Sequence, residues 1–267
     1  MLNALLMTVI VFLGMLVCGE IGRRIGRGHR ARDPAKKLAE GAGAAEAAVF
    51  ALLGLLIAFT FSGAASRFED RRHLVTDEAN AIGTAYLRVD LLPADAQPEL
   101  RRLFRRYTDV RASTYRRQDQ SVFARFLAGE NQGMVAARLA QAATLQQAIW
   151  QHAITALDRP DTPARATVVL VPALNEMIDI TTTRVMATRN HPPLIVFLLL
   201  VGFGLVGSVL VGYTTSINAR RDWFHSILFA AILSLTMYVI VDLEYPRLGL
   251  IQVDSDQVLV ELAQTMH

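Results

Sequence analysis

The chain has 267 residues, a formal charge of +3, 52% hydrophobic and 19% charged residues, and one cysteine. A charged share below the ~25% usual for soluble domains points to a membrane. The hydrophobic content excludes a disordered tail, and lone Cys18 excludes a disulfide framework or a Cys-based zinc site.

Four stretches are nearly free of charge: Leu2 to Gly19, Ala47 to Ser66, His191 to Ala219, and Trp223 to Val241, which carries only His225. Each matches the ~20 residues a helix needs to cross ~30 Å of hydrocarbon, so four transmembrane helices are predicted. The first span has no basic leader and no small-residue cleavage site, and it reads as an anchor rather than a signal peptide. Gly14, Cys18 and Gly22 are spaced by four on it, as are Gly204, Ser208 and Gly212 on the third; both sets read as helix-packing seams.

On the second span, steps of four and three trace Ala47, Ala51, Gly54, Ala58, Phe61, Ala65, Phe68, Arg72, Val75, Ala79, Ile82, Tyr86 and Val89. This heptad seam runs past the membrane boundary, and no proline interrupts it before Pro93. One helix from about Ala44 to Leu91, roughly 70 Å long, is expected. Its face is either a packing seam or a pore lining.

Between spans two and three lies an insertion with 17 Arg against 14 Asp plus Glu. It shows three further amphipathic segments. Pro98 to Arg117 presents Leu100, Phe104, Tyr107, Val110 and Thr114. Gly133 to Leu157 presents Val135, Leu139, Ala142, Leu145, Ile149, Ala153 and Ala156. Thr162 to Asn190 presents Val168, Val171, Leu174, Ile178, Thr182 and Val185 before meeting Pro192-Pro193. Pro93 with Pro98, Gly129 with Gly133, and Pro160 with Pro163 punctuate them. With the outgoing part of the second helix this makes a four-helix insertion, and spans two and three continue into it as long helices. The expected fold is all-α. Its parts are 1–66 (spans one and two), 67–191 (helical insertion), 192–243 (spans three and four) and 244–267 (an acidic tail).

The loop from Glu20 to Glu46 holds Arg23, Arg24, Arg27, Arg30, Arg32, Lys36 and Lys37, and the loop after span three holds Arg220 and Arg221. Counting Lys and Arg over short loops puts both loops in the cytoplasm, leaving the insertion and both termini extracytoplasmic at a bacterial inner (plasma) membrane.

No HExxH, Cys/His cluster, G-x-S-x-G or phosphate-binding glycine loop occurs, so neither catalytic residue, metal site nor cofactor is expected, and the chain is not read as an enzyme. Arg101, Arg102, Arg105 and Arg106 form a basic helix face without interleaved aromatics, which argues against nucleic acid. A charged cluster marks the membrane face: Asp242 and Glu244 close the fourth span where Arg67, Arg71 and Arg72 leave the second. Charges so near hydrocarbon need partners, so these acids are expected to pair with those arginines. Headgroup contact and pairs within the second helix are the alternative.

Glu78-Ala79-Asn80-Ala81-Ile82-Gly83, followed by Tyr86, Arg88, Leu91, Leu92 and Pro93, resembles a motif just after the second span of a bacterial bestrophin-like family of unknown function. Val241-Asp242-Leu243-Glu244-Tyr245-Pro246-Arg247-Leu248-Gly249-Leu250-Ile251-Gln252-Val253 resembles its second signature. The resemblance covers essentially the whole chain and implies kinship with bestrophins, ring-forming ion channels whose second span lines a pore with an apolar neck. It thereby implies a homo-oligomer in a lipid bilayer, conducting inorganic ions. Phe61, Ile57 and Gly54 are the candidate constriction, gating by dewetting. A packing or lipid-facing Phe61 is the competing reading. Glu78 and Asn80 are alternatively structural, bonding across the helix bundle. Bestrophins keep their termini and helical domain in the cytoplasm, opposite to the side the short-loop arginines favour. A non-conducting sensor or scaffold, whose insertion binds a partner or ligand, is the second functional class.

Overall fold

The computed structural model describes residues 2–32, 39–114, 131–216, 223–245, 251 and 257–266. Among them the chain is all-helical: α1 (Leu2–Arg32), α2 (Ala39–Arg88), a 3-10 turn (Val89–Leu91), α3 (Gln97–Thr114), α4 (Asn131–Leu157), α5 (Ala164–Arg189), α6 (Leu194–Thr215), α7 (Trp223–Glu244) and α8 (Gln257–Thr265). Four segments are long and apolar enough to cross a membrane: Leu5–Arg32, Glu46–Leu91, Ala164–Thr215 and Trp223–Glu244.

The chain divides into two compact units. Unit 1 joins Met1–Phe68 to His191–Gln252; unit 2 joins Glu69–Asn190 to Val253–His267.

Unit 1 is built on a close crossing of α1 and α6. Its physical basis is the pair of small-residue seams. A Cβ placed on Gly22 would lie 2.0 Å from the Val209 carbonyl oxygen, and one on Gly212 would lie 1.9 Å from that of Gly19. Only glycine permits two backbones this near, and in lipid such packing replaces the missing hydrophobic drive for helix association. Ser208 satisfies its buried hydroxyl by donating to the Gly204 carbonyl one turn earlier. α7 packs on α1, and the core gathers Val11, Met15, Leu200, Leu233, Met237 and Ile240. The membrane half of α2 joins this core through Leu53 and Ala64, with Phe50 packed edge-on against Phe229.

In unit 2 the outgoing half of α2 buries Val75, Ala79, Ile82, Tyr86 and Val89, the predicted heptad seam. α3 buries Leu100, Phe104, Tyr107 and Val110, and α4 buries Ala142, Leu145, Ile149 and Ala153. Both faces match the spacing in the sequence. α5 differs: Val168 is 74% exposed, while Ala166, Leu170, Ala173, Leu174 and Met177 face the core. Apolar side chains surround this helix, so periodicity alone does not choose its inner face. Pro172 stands inside α5 and removes one intrahelical donor. Beside that gap, the Arg88 guanidinium donates to the Val169 carbonyl (2.8 Å).

The expected long helix through span three is two helices. α5 stops at Arg189 and α6 begins at Leu194, because Pro192 and Pro193 supply no backbone N–H between them. The tail beyond span four, read from sequence as acidic, contributes α8. Leu259, Ala263 and Met266 are buried there, and Leu259 and Met266 belong to the core of unit 2.

Candidate functional site

The first motif lies on the outgoing half of α2, and most of it is packing. Gly83 leaves room for α8, since a Cβ there would meet Leu262 Cδ1 at 3.4 Å. Tyr86 is packed edge-on against Phe104 and lies 5.0 Å beneath the Arg101 guanidinium. Pro93 ends the 3-10 turn and accepts a hydrogen bond from the Ala96 N–H. Asn80 is exposed. Pro246 and Gly249 of the second motif lie outside the described residues.

Glu78 is the exception within the motif. Its carboxylate is fully buried and accepts from Arg111 Nε at one oxygen and from Arg184 Nη1 at the other. α2 supplies the acid, α3 one guanidinium and α5 the second, so one carboxylate ties three helices together. Nearby, the Tyr107 hydroxyl meets Thr181 Oγ1 at 3.1 Å and accepts from Gln146 Nε2 at 3.0 Å. Burial pushes the Tyr107 phenol upward, and the Glu78 charge adds to that. For Glu78, burial raises the pKa, but Arg111 and then Arg184 outweigh it and hold the carboxyl below its ordinary value. Sequence inspection picks out Glu78 through its motif but not its partners, which lie 33 and 106 residues further along the chain.

The membrane-face cluster separates by residue. In unit 1, Glu244 is fully buried and takes Arg67 Nε (2.9 Å) and Nη2 (2.7 Å) on one oxygen. His191 Nδ1 lies 2.9 Å from the other oxygen, and the His191 ring stacks on Tyr245. Asp242 is buried and accepts from the Ile251 backbone N–H (3.0 Å), fixing the chain just beyond span four. In unit 2, Arg71 donates to the carbonyls of Ala187 (3.1 Å) and Asn190 (3.0 Å), two of the orphan acceptors at the end of α5. Arg72 pairs with Glu69 on its own helix. The structure therefore brings together Arg67 and Glu244, with His191 as a third member that the charge count did not include.

The candidate constriction residues also separate. Ile57 packs against the unit 1 core. Phe61 is 44% exposed, and a Cβ at Gly54 would meet nothing within 4 Å. Ala47, Ala51 and Ala58 are exposed beside them. One heptad seam is thus buried in unit 2 and open from Ala47 to Phe61, while its members Ala65 and Phe68 pack against the unit 1 core.

The bestrophin-like profile matches residues 9–258. No curated protein matches the chain. Two crystal structures of a bacterial bestrophin homologue from Klebsiella pneumoniae share its fold, each carrying a single mutation to threonine. The leucine-to-threonine mutant has a TM-score of 0.70 at 13% identity, covering 97% of each chain. The isoleucine-to-threonine mutant has a TM-score of 0.66 at 14% identity, covering 97% of this chain and 98% of that one. With nearly its whole length matched and its four apolar spans in place, this membrane protein belongs to the Bestrophin-like family.

Proposed function

We propose that this protein is a homo-oligomeric ion channel of the bacterial inner membrane, with the second helix lining the pore. The observation that carries the reading is the open half of the α2 seam. Along Ala47, Ala51, Gly54 and Ala58 the helix presents an exposed small-residue face, and a Cβ on Gly54 would meet nothing within 4 Å among the described residues. Lipid gives such a face little to gain, whereas close approach of symmetric copies or a narrow water path uses it. Phe61 is the bulky side chain on that face, and a ring of them would close the path by dewetting.

Purified full-length protein in liposomes is expected to pass ions. Phe61→Ala is expected to raise the flux several-fold while leaving the thermal midpoint nearly unchanged, since the side chain is half open. Silence across several ions, with a detergent-corrected mass of one 29.4 kDa chain, would sink the reading.

The arginines of the short loops support an extracytoplasmic insertion. In a Cys18→Ser background, a cysteine placed after Arg117 is then expected to react with a membrane-impermeant maleimide in intact spheroplasts. Reaction only after lysis would assign the insertion to the cytoplasm.

A second reading, a non-conducting sensor or scaffold, is favoured by the separate compact unit that the insertion forms with the C-terminal segment. Full-length protein that conducts nothing yet retains a specific partner through the insertion would select it.

A further inference from the structure

One end of unit 1 concentrates positive charge beside exposed hydrocarbon. α1 and α6 run parallel, with Gly14 against Leu205, Gly19 against Ser208 and Gly26 against Ser216, so they finish at the same end. α7 starts there too: Trp223 and Ser226 line one cleft with Gly19, Arg23, Ser208 and Gly212. Arg23 is only 8% exposed. Arg27 and Arg30 follow it at four and seven residues, on the same helix face, and both are exposed. The guanidiniums therefore form a ladder that climbs roughly 10 Å from the cleft to the helix end.

The flank of this ladder identifies what it meets. Trp223, which lines the cleft with Arg23, and its neighbour Phe224 are exposed at the start of α7, while Val17, Ile21 and Ile25 are exposed on the opposite face of α1. Exposed aromatic side chains beside guanidiniums mark the level where acyl chains give way to headgroups. A soluble anion would have no use for the apolar half. A phosphodiester headgroup matches both halves, with its charge on the planar guanidinium donors and its chains beside Trp223 and Phe224.

We infer that this end of unit 1 is a binding surface for the headgroups of acidic phospholipids, with Arg27 and Arg30 as outer ligands and Arg23 at the cleft. The surface is complete within one chain and does not depend on ion conduction.

The test compares full-length protein in nanodiscs of phosphatidylcholine alone with nanodiscs holding one-third phosphatidylglycerol. Retention of each lipid is read by native mass spectrometry and stability by the thermal midpoint. The wild type is expected to retain phosphatidylglycerol preferentially and to melt higher in its presence. Arg27→Gln with Arg30→Gln is expected to cut that preference roughly thirtyfold, from two basic contacts at an anionic surface. The double variant should melt like the wild type in phosphatidylcholine, which separates lost binding from lost folding. Arg105→Gln with Arg106→Gln on α3 should leave the preference intact. Equal retention of the two lipids, an undiminished preference in the Arg27/Arg30 variant, or the same loss in the α3 variant would overturn the inference. So would an equal rise in midpoint from inorganic phosphate alone.

Discussion

Replacing Glu78 by Gln is expected to destabilise unit 2 by about 3–5 kcal/mol, the cost of breaking a buried ion pair by removing one partner. The carboxylate is fully buried and serves both Arg111 and Arg184, so its loss takes the paired negative charge from two buried guanidiniums at once. Against the ~5–15 kcal/mol that holds a typical domain together, this is a large share. Limited proteolysis of the detergent-purified variant is expected to cut first within Glu69–Asn190, and its thermal midpoint should fall well below the wild type. The triple variant Glu78→Leu, Arg111→Met, Arg184→Met should recover most of the loss, because apolar groups of similar volume need no desolvation of charge. A wild-type midpoint for Glu78→Gln would show that the triad contributes nothing. The pH profile follows from the sign of the shift. The folded pKa of Glu78 lies below the unfolded one, so its stabilisation is complete above the ordinary glutamate range and is lost as pH falls through the depressed folded value. Glu78→Gln should flatten that acid limb.

The second large effect is expected at the crossing of α1 and α6. Gly22→Ala puts a methyl 2.0 Å from a backbone carbonyl oxygen, which no rotamer change relieves. The helices must separate, at a cost of about 1–3 kcal/mol. Gly22→Leu should prevent unit 1 from assembling. Gly28→Ala is the matched control on the same helix, since a Cβ there meets nothing within 4 Å. Size-exclusion profiles and thermal midpoints of the three variants read the order directly. A Gly22→Ala protein as stable as Gly28→Ala would contradict the close crossing.

These two sites differ in how far the sequence reveals them. The glycines of α1 and α6 are legible because spacing by four places them on one helix face, and a small face in an apolar helix has few uses other than close packing. Helix extents are legible for a similar reason, since Pro93, Pro98, Pro160 and Pro163 interrupt the pattern locally. The segment expected from 98 to 117 begins at Gln97, and the one expected from 162 to 190 runs Ala164–Arg189. The Glu78 triad was not legible in full. A charge shows its sign in the sequence but not its distant partner, and α2, α3 and α5 must be packed before the three residues meet. The inner face of α5 was hidden by apolar residues on every side. In the candidate pore, Ile57 and Phe61 differ by only ~40° around the helix, so burial rather than spacing separates them. The role of α8 was masked by its composition. Acids before and within it made the segment read as an acidic tail, while Leu259, Ala263 and Met266 form a narrow buried stripe.

That stripe has a consequence for biosynthesis. Leu259 and Met266 complete the core around α3, and Met266 Sδ accepts from the buried Thr108 hydroxyl (3.5 Å). The ribosome makes α3 before two membrane spans and makes α8 after both. At ~5–20 residues per second, Thr108 waits roughly 8–30 s for Met266, while α6 and α7 are inserted. The insertion therefore cannot mature when it emerges. Its completion reports that the fourth span is already in place, and a chain stalled or cut before α8 leaves an open apolar groove for proteases to find.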